Sequence, residues 1–258
     1  MTDCPPMEGM GTVLITGGGS GIGLGAAEHF ASRGALVTIS GRREEPLFAA
    51  AKQIGTRCNA VVGDVTVAVD RQRMVEAAVE HGGGLDALLS LAGNMHAGAL
   101  GSLEEDRLLD LFHSNVVAGI MLAQCAEDHL AASKGSIVFA ASVHTRRAFP
   151  GASGYAATKG AIEALTGVLA AELGRKGIRV NSVRPGGVHT EILVRGGMAK
   201  DDEESRARVE GLASAHVLGR IGTTEEIAEA LEYLVCAEWT TGEVLTVDGG
   251  LSLGVTKG

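Results

Sequence analysis

Short apolar runs rich in β-branched residues recur along the chain, each bounded by glycine or polar residues: 13–15, 36–39, 60–62, 87–91, 136–140, 179–183 and 244–247. They are too short for helices, and most do not alternate apolar with polar, as expected of strands covered on both faces. Helical periodicity fills the segments between them, at 22–32, 46–54, 69–80, 104–111, 116–132, 155–175 and 224–235. Strand alternating with helix predicts a parallel sheet, and right-handed crossovers wind it doubly, with helices on both faces. No linker-like stretch or internal repeat interrupts the pattern, so residues 1–258 are expected to form one α/β domain.

One segment stands apart. Residues 188–217 carry the charged run Lys-Asp-Asp-Glu-Glu-Ser-Arg-Ala-Arg-Val-Glu after the Gly196–Gly197 pair. Asp202 with Arg206, and Glu204 with Arg208, stand at i,i+4, which predicts a short surface helix supported by ion pairs. An insertion of this length between two late strands also suits a lid over a site.

Composition narrows the function. Of 258 residues 38 are glycine, about twice the usual share of roughly 7%. Yet 45% of residues are apolar and the glycines follow no period, so neither a disordered nor a collagen-like chain fits. The net charge of −9 offers no basic field for nucleic acid or an anionic membrane. Cys4, Cys58, Cys125 and Cys236 form no Cys-x-x-Cys pair, so no metal site is expected; they read as buried thiols of a reducing compartment. The opening residues lack a basic and an apolar leader region, and the longest apolar stretch, 116–123, is short for a bilayer. The expected location is cytoplasmic.

The surplus glycine gathers where the first strand meets the first helix: Thr16-Gly17-Gly18-Gly19-Ser20-Gly21-Ile22-Gly23. Strand, glycine loop and helix together aim bare N–H groups and a helix N-terminus at a pyrophosphate, the Rossmann arrangement. On this motif alone a methyltransferase remains open. The end of the second strand reads Ser40-Gly41-Arg42-Arg43, with no acid before Glu44. A carboxylate there holds a ribose 2′-hydroxyl, whereas a guanidinium grips a 2′-phosphate. NADP(H) is therefore expected, with Arg42 the main contact and Arg43 the second; NAD(H) is the alternative.

Tyr155 and Lys159 lie four residues apart at the start of the longest predicted helix, a step of about 400° that points both from nearly one face. A nearby ammonium favours the phenolate and pulls a tyrosine toward the working range of an acid or base. Ser142 ends the fifth strand, on the sheet edge where ligands sit in such folds.

With these motifs the chain resembles the short-chain dehydrogenase/reductase family over nearly its whole length. The glycine loop from Thr16 to Gly23, Asp64-Val65 after the third strand, Asn115, Ser142, the Tyr155/Lys159 pair, and Pro185-Gly186-Gly187-Val188-His189-Thr190 each match a family motif. So does the tail Val247-Asp248-Gly249-Gly250. Where relatives carry Asn-Asn-Ala-Gly, this chain reads Ser90-Leu91-Ala92-Gly93, which puts the packing around Leu91 in question. The resemblance implies hydride transfer between a nicotinamide and a carbonyl or alcohol carbon. Tyr155 would be the general acid/base, Lys159 would tune it and hold the ribose, Ser142 would bind the substrate oxygen, and Asn115 would position a water.

The resemblance also implies contacts from Asp64 and Val65 to the adenine, from Ala92 and Gly93 to the cofactor floor, and from Pro185, Gly186, Val188 and Thr190 to the nicotinamide. It implies a homotetramer whose dimer face pairs helices 116–132 and 155–175. The substrate is expected to be a modest carbonyl or alcohol. Residues 94–98, 143–154 and the lid would select it; His144 and His96 are candidate contacts, though a lone His near a site is more often a packing or surface residue. Arg146 and Arg147, which could receive an acidic or phosphorylated substrate, read more readily as solvated side chains. A dinucleotide sensor on the same fold is the rival reading.

Overall fold

A computed structural model describes residues 11–254. The first ten residues, with Cys4 and most of the expected leaderless N-terminus, lie outside that range. The strands are β1 (Thr12–Thr16), β2 (Leu36–Gly41), β3 (Cys58–Val62), β4 (Ala87–Ser90), β5 (Ser136–Ala140), β6 (Arg179–Pro185) and β7 (Val244–Val247). They form one parallel sheet in the order β3-β2-β1-β4-β5-β6-β7. The order reverses between β1 and β4, and a crevice opens there at the carboxyl ends of the strands.

Helices α1 (Gly21–Ser32), α2 (Glu44–Ile54), α3 (Ala68–Gly82), α4 (Glu105–Phe112), α5 (Ala118–Ser133), α6 (Ser153–Leu173), α7 (Ile192–Arg195), α8 (Asp202–Glu210) and α9 (Thr224–Cys236) complete the fold. On one face Phe30, Leu47, Ile227, Leu231 and Leu234 pack α1, α2 and α9 against Val13, Ile15, Val37 and Ile39. On the other, Met74, Leu122, Leu130 and Ile162 bring α3, α5 and α6 onto Leu14, Leu88, Ile137 and Phe139. Both faces of the sheet are thus covered, which is why the strand sequences do not alternate. Capping fixes α9 sharply: Thr223 Oγ1 accepts from Glu226 N, while the Glu226 carboxylate accepts from Thr223 N.

Several expectations need correction. No break separates α4 from α5; a π turn, His113–Val117, joins them into a helix running from Glu105 to Ser133. By length and composition alone this helix, unlike the shorter apolar stretch, could cross a membrane; its Leu122, Ala126 and Leu130 are instead packed in the core. The cysteines are not all buried: Cys125 is exposed and Cys58 half-buried, and none of the described three is in a disulfide. In the 188–217 segment the Glu204–Arg208 pair forms, whereas Asp202 Oδ1 lies 3.1 Å from His189 Nε2 and, among the described residues, makes no ion pair with Arg206. Leu91, which replaces the family Asn, is partly buried, packing against the core on one side and lining the cleft on the other.

Candidate active site

The phosphate loop is built by backbone conformations that glycine permits. Gly17 sits at φ +74°, and a Cβ on Gly23 would lie 2.3 Å from the Gly17 carbonyl oxygen. The loop is tied to β2, where the Ser40 carbonyl accepts from Gly17 and Gly18 N–H. Thr16 stands behind it, fully buried, its hydroxyl accepting from the amides of Leu91 and Ala92 at 3.1 and 3.0 Å. It braces β4 instead of facing the crevice. Gly19 likewise lies against Leu47 of α2.

The crevice has a volume of about 510 Å³. Gly17, Ser20, Gly21, Ile22 and Gly23 line one end with Ser40, Gly41, Arg42, Asp64 and Val65; Ala92, Gly93, Pro185, Gly186, Val188 and Thr190 continue along it. Burial works against the Asp64 carboxylate, yet two Thr66 hydrogen bonds and the Arg42 charge hold it below the usual carboxylate range. Arg42 Nη1 lies 3.7 Å from Asp64 Oδ2. Arg43 turns toward the 188–217 segment and pairs with Glu191. The Ser40 hydroxyl at this end is buried with no hydrogen-bond partner among the described residues. A helix N-terminus free of acidic side chains, a glycine cradle and an orphaned hydroxyl fit the pyrophosphate and ribose of a dinucleotide.

At the other end Tyr155, Lys159, Ser142 and His144 share the wall. Lys159 Nζ lies 5.4 Å from the centre of the Tyr155 ring and donates to the Ala140 carbonyl at 2.7 Å. Asn115, in the middle of the π turn, is one layer back. Its Nδ2 donates to Asn94 O and Thr158 Oγ1 at 2.9 and 3.1 Å, and its Oδ1 accepts from Asn94 N at 2.8 Å. Three segments are thus pinned by one buried amide. Ser142 Oγ lies 3.0 Å from His144 Nδ1, and the His144 ring stands edge-on to Tyr155 with centres 5.1 Å apart.

The electrostatics differ from the expectation drawn from Tyr155 and Lys159. Burial pushes the Tyr155 phenol up to about 12, against a lowering hydrogen bond from Ser142, and pushes Lys159 down to about 8. Desolvation dominates both groups. Burial and then the Lys159 charge hold His144 down to about 4, so it is neutral at pH 7. The space beside these groups is apolar, walled by Met95, Phe149, Ile192, Leu193, Met198, Leu212 and Leu251. All but Leu251 fall in the segments 94–98, 143–154 and 188–217 expected to select the substrate, although no periodicity there marked the individual side chains.

A family model described as enoyl-(acyl carrier protein) reductase matches residues 17–252. An uncharacterised oxidoreductase of Methylorubrum extorquens is 36% identical over 244 residues, covering 92% of this chain and 96% of that one. A short-chain dehydrogenase/reductase from Caenorhabditis elegans, solved with cofactor, superposes with a TM-score of 0.88 at 33% identity, over 95% of this chain and 96% of that one. The 3-ketoacyl-(acyl-carrier-protein) reductase of Brucella melitensis, complexed with NADH, gives 0.84 at 31%, over 93% and 97%. The chain belongs to the short-chain dehydrogenase/reductase family. It is therefore an oxidoreductase acting on CH–OH or C=O groups.

Proposed function

We propose that this protein interconverts an uncharged carbonyl compound and its secondary alcohol with NADP(H), using Tyr155 as general acid and base. The observation that carries the reading is the convergence of Tyr155, Lys159 and Ser142 on one wall of the cleft, backed by Asn115. When bound, the nicotinamide supplies or accepts the hydride. A phenol near 12 is protonated at neutral pH, the form needed to donate to a carbonyl oxygen as charge develops on it. The Ser142 hydroxyl hydrogen-bonds that same oxygen. Lys159, titrating near 8, can return a proton to the phenolate and hold the ribose hydroxyls. In the oxidative direction Tyr155 must first lose its proton, so alcohol oxidation rises with pH through the neutral and alkaline range.

The apolar walls of the chamber favour a substrate without charge, and neutral His144 adds no cation to the lining beyond Lys159 and the arginines Arg195 and Arg208. Arg42, on the cleft wall with no acid at the end of β2, supports NADP(H). NAD(H) is the second reading, favoured by Asp64 standing beside Arg42. Exposed Ala157, Ala164, Gly167 and Val168 give α6 a flat outward face suited to a second copy, in keeping with a homotetramer. The test is a panel of neutral ketones, aldehydes and alcohols with NADPH, NADH and their oxidised forms, followed by nicotinamide absorbance. Tyr155→Phe should lower kcat by about 100-fold or more. Retention of a tenth of turnover overturns the Tyr155 role, and equal kcat/KM for NADPH and NADH overturns the cofactor preference.

A further inference from the structure

The lid sends side chains toward the phosphate loop that neither the proton chemistry nor the Arg42 argument uses. Glu191 pairs with Arg43, whose Nη2 also lies 3.5 Å from Ser20 Oγ. One turn later Arg195 lines the cleft, with Nη2 3.5 Å from the carbonyl oxygen of Gly93 on the opposite wall. Its guanidinium therefore bridges the cleft mouth. Neighbouring contacts give the level of that bridge. Thr190, at the base of the lid, packs so closely on the start of α1 that a Cβ on Gly21 would lie 3.0 Å from Thr190 Cγ2. Gly17 of the phosphate loop abuts Ala92, next to Gly93, with 3.2 Å between its would-be Cβ and the Ala92 Cα.

The charges in this corner do not balance. Arg42 faces Asp64 and Arg43 faces Glu191, but among the described residues no carboxylate lies within salt-bridge distance of Arg195. Desolvation and the neighbouring Arg43 charge both disfavour its cation, with Glu191 opposing them. An arginine crossing a cleft beside a helix N-terminus, with one positive charge in excess around it, lacks an anion.

We propose that Arg195 is a phosphate ligand carried by the lid, which grips the pyrophosphate of the dinucleotide from the side opposite α1. The assignment rests on the dinucleotide reading above. The planar fork of a guanidinium matches paired phosphate oxygens, and the α1 amides hold the other side of the same group. Cofactor binding then also fastens the lid, holding Ile192, Leu193 and Met198 against the rest of the substrate chamber.

Calorimetric titration of the wild type, Arg195→Ala and Arg195→Lys with NADPH, NADH, ADP and 2′-AMP tests this. Arg195→Ala should weaken NADPH, NADH and ADP alike by about 10- to 100-fold, leave 2′-AMP unchanged, and regain part of the loss as Arg195→Lys. Deuterium uptake across 192–210 should fall with NADPH in the wild type but not in Arg195→Ala. Loss confined to NADPH and 2′-AMP overturns the pyrophosphate assignment in favour of the 2′-phosphate, and unchanged affinities for all four overturn it outright. A wild type that binds neither NADPH nor NADH overturns the dinucleotide reading itself. Arg195 is solvent-accessible, so the fold should tolerate both variants, and Arg195→Lys alone carries the test if the alanine variant does not.

Discussion

On the sheet side of the cleft, Tyr155, Lys159, Asn115 and Ser142 are each less than a tenth exposed, held by buried hydrogen bonds to carbonyls, amides and hydroxyls. On the lid side, Glu191, Arg195, Glu204 and Arg208 lie in or near solvent, held by ion pairs and one long hydrogen bond. The first wall is positioned by desolvated contacts that salt hardly screens, the second by charges that water and salt weaken. A hydride transfer needs reacting groups fixed to fractions of an ångström, while a segment that covers a cleft and admits ligand works better on contacts that can be exchanged. The two kinds of bonding are divided along that line.

The contrast breaks most readily on the sheet side. Glu163, one turn beyond Lys159, accepts from Arg184 of β6 and from Thr145 in the turn that follows Ser142, and Arg184 also reaches Thr246 of β7. Arg184→Met should leave the half-buried Glu163 carboxylate with only the Arg146 charge nearby and cost about 1.5–3 kcal/mol, read from urea unfolding. A loss under about 1 kcal/mol would put this pair in the same class as the lid pairs.

Lys159→Met should act in the opposite sense. Because the folded-state pKa is pushed from 10.5 to about 8, the folded chain binds fewer protons than the unfolded chain between those values. Stability therefore rises with pH across that window, and below pH 8 the full burial penalty is present. Lys159→Met removes the penalty, so the unliganded protein should gain about 1–3 kcal/mol at pH 7, lose the rise toward pH 10, and lose turnover. A lower Tm at pH 7 would mean that the hydrogen bond to Ala140 outweighs the buried charge.

The smallest effect belongs to the lid. Glu204→Gln removes an exposed i,i+4 pair and should shift the urea midpoint only slightly, a difference that vanishes in high salt. A large, salt-independent shift would erase the distinction between the walls.

Much of this was legible in the sequence because it rests on local rules. Strands covered on both faces read as apolar runs, and the Tyr155/Lys159 spacing places both groups on one helix face. What escaped depends on contacts far apart in the chain. Thr16 is separated from Leu91 by 75 positions, so its hydroxyl looked like part of a ligand loop when its partners are backbone amides. Asp202 sits at helical spacing from Arg206, but His189 reaches it first from the lid base. The depressed phenol pKa expected from Lys159 omitted desolvation, which only the packed structure reveals. Arg195 belongs to a helix of four residues, too short to carry any periodic signal.

The π turn at His113–Val117 has a consequence for how this helix tolerates length changes. One surplus residue in the coil shifts the phase of everything before it by about 100°, so α4 presents Leu111 toward Tyr155 and Ala152 while Asn115 keeps its three anchors behind the cleft wall. The widened turn works as a phase shifter between two stretches whose apolar stripes obey different clocks. Deleting a single residue there would restore an even winding and swing Leu111 off its neighbours, whereas the same deletion in the turn at 83–84 has no stripe to re-time.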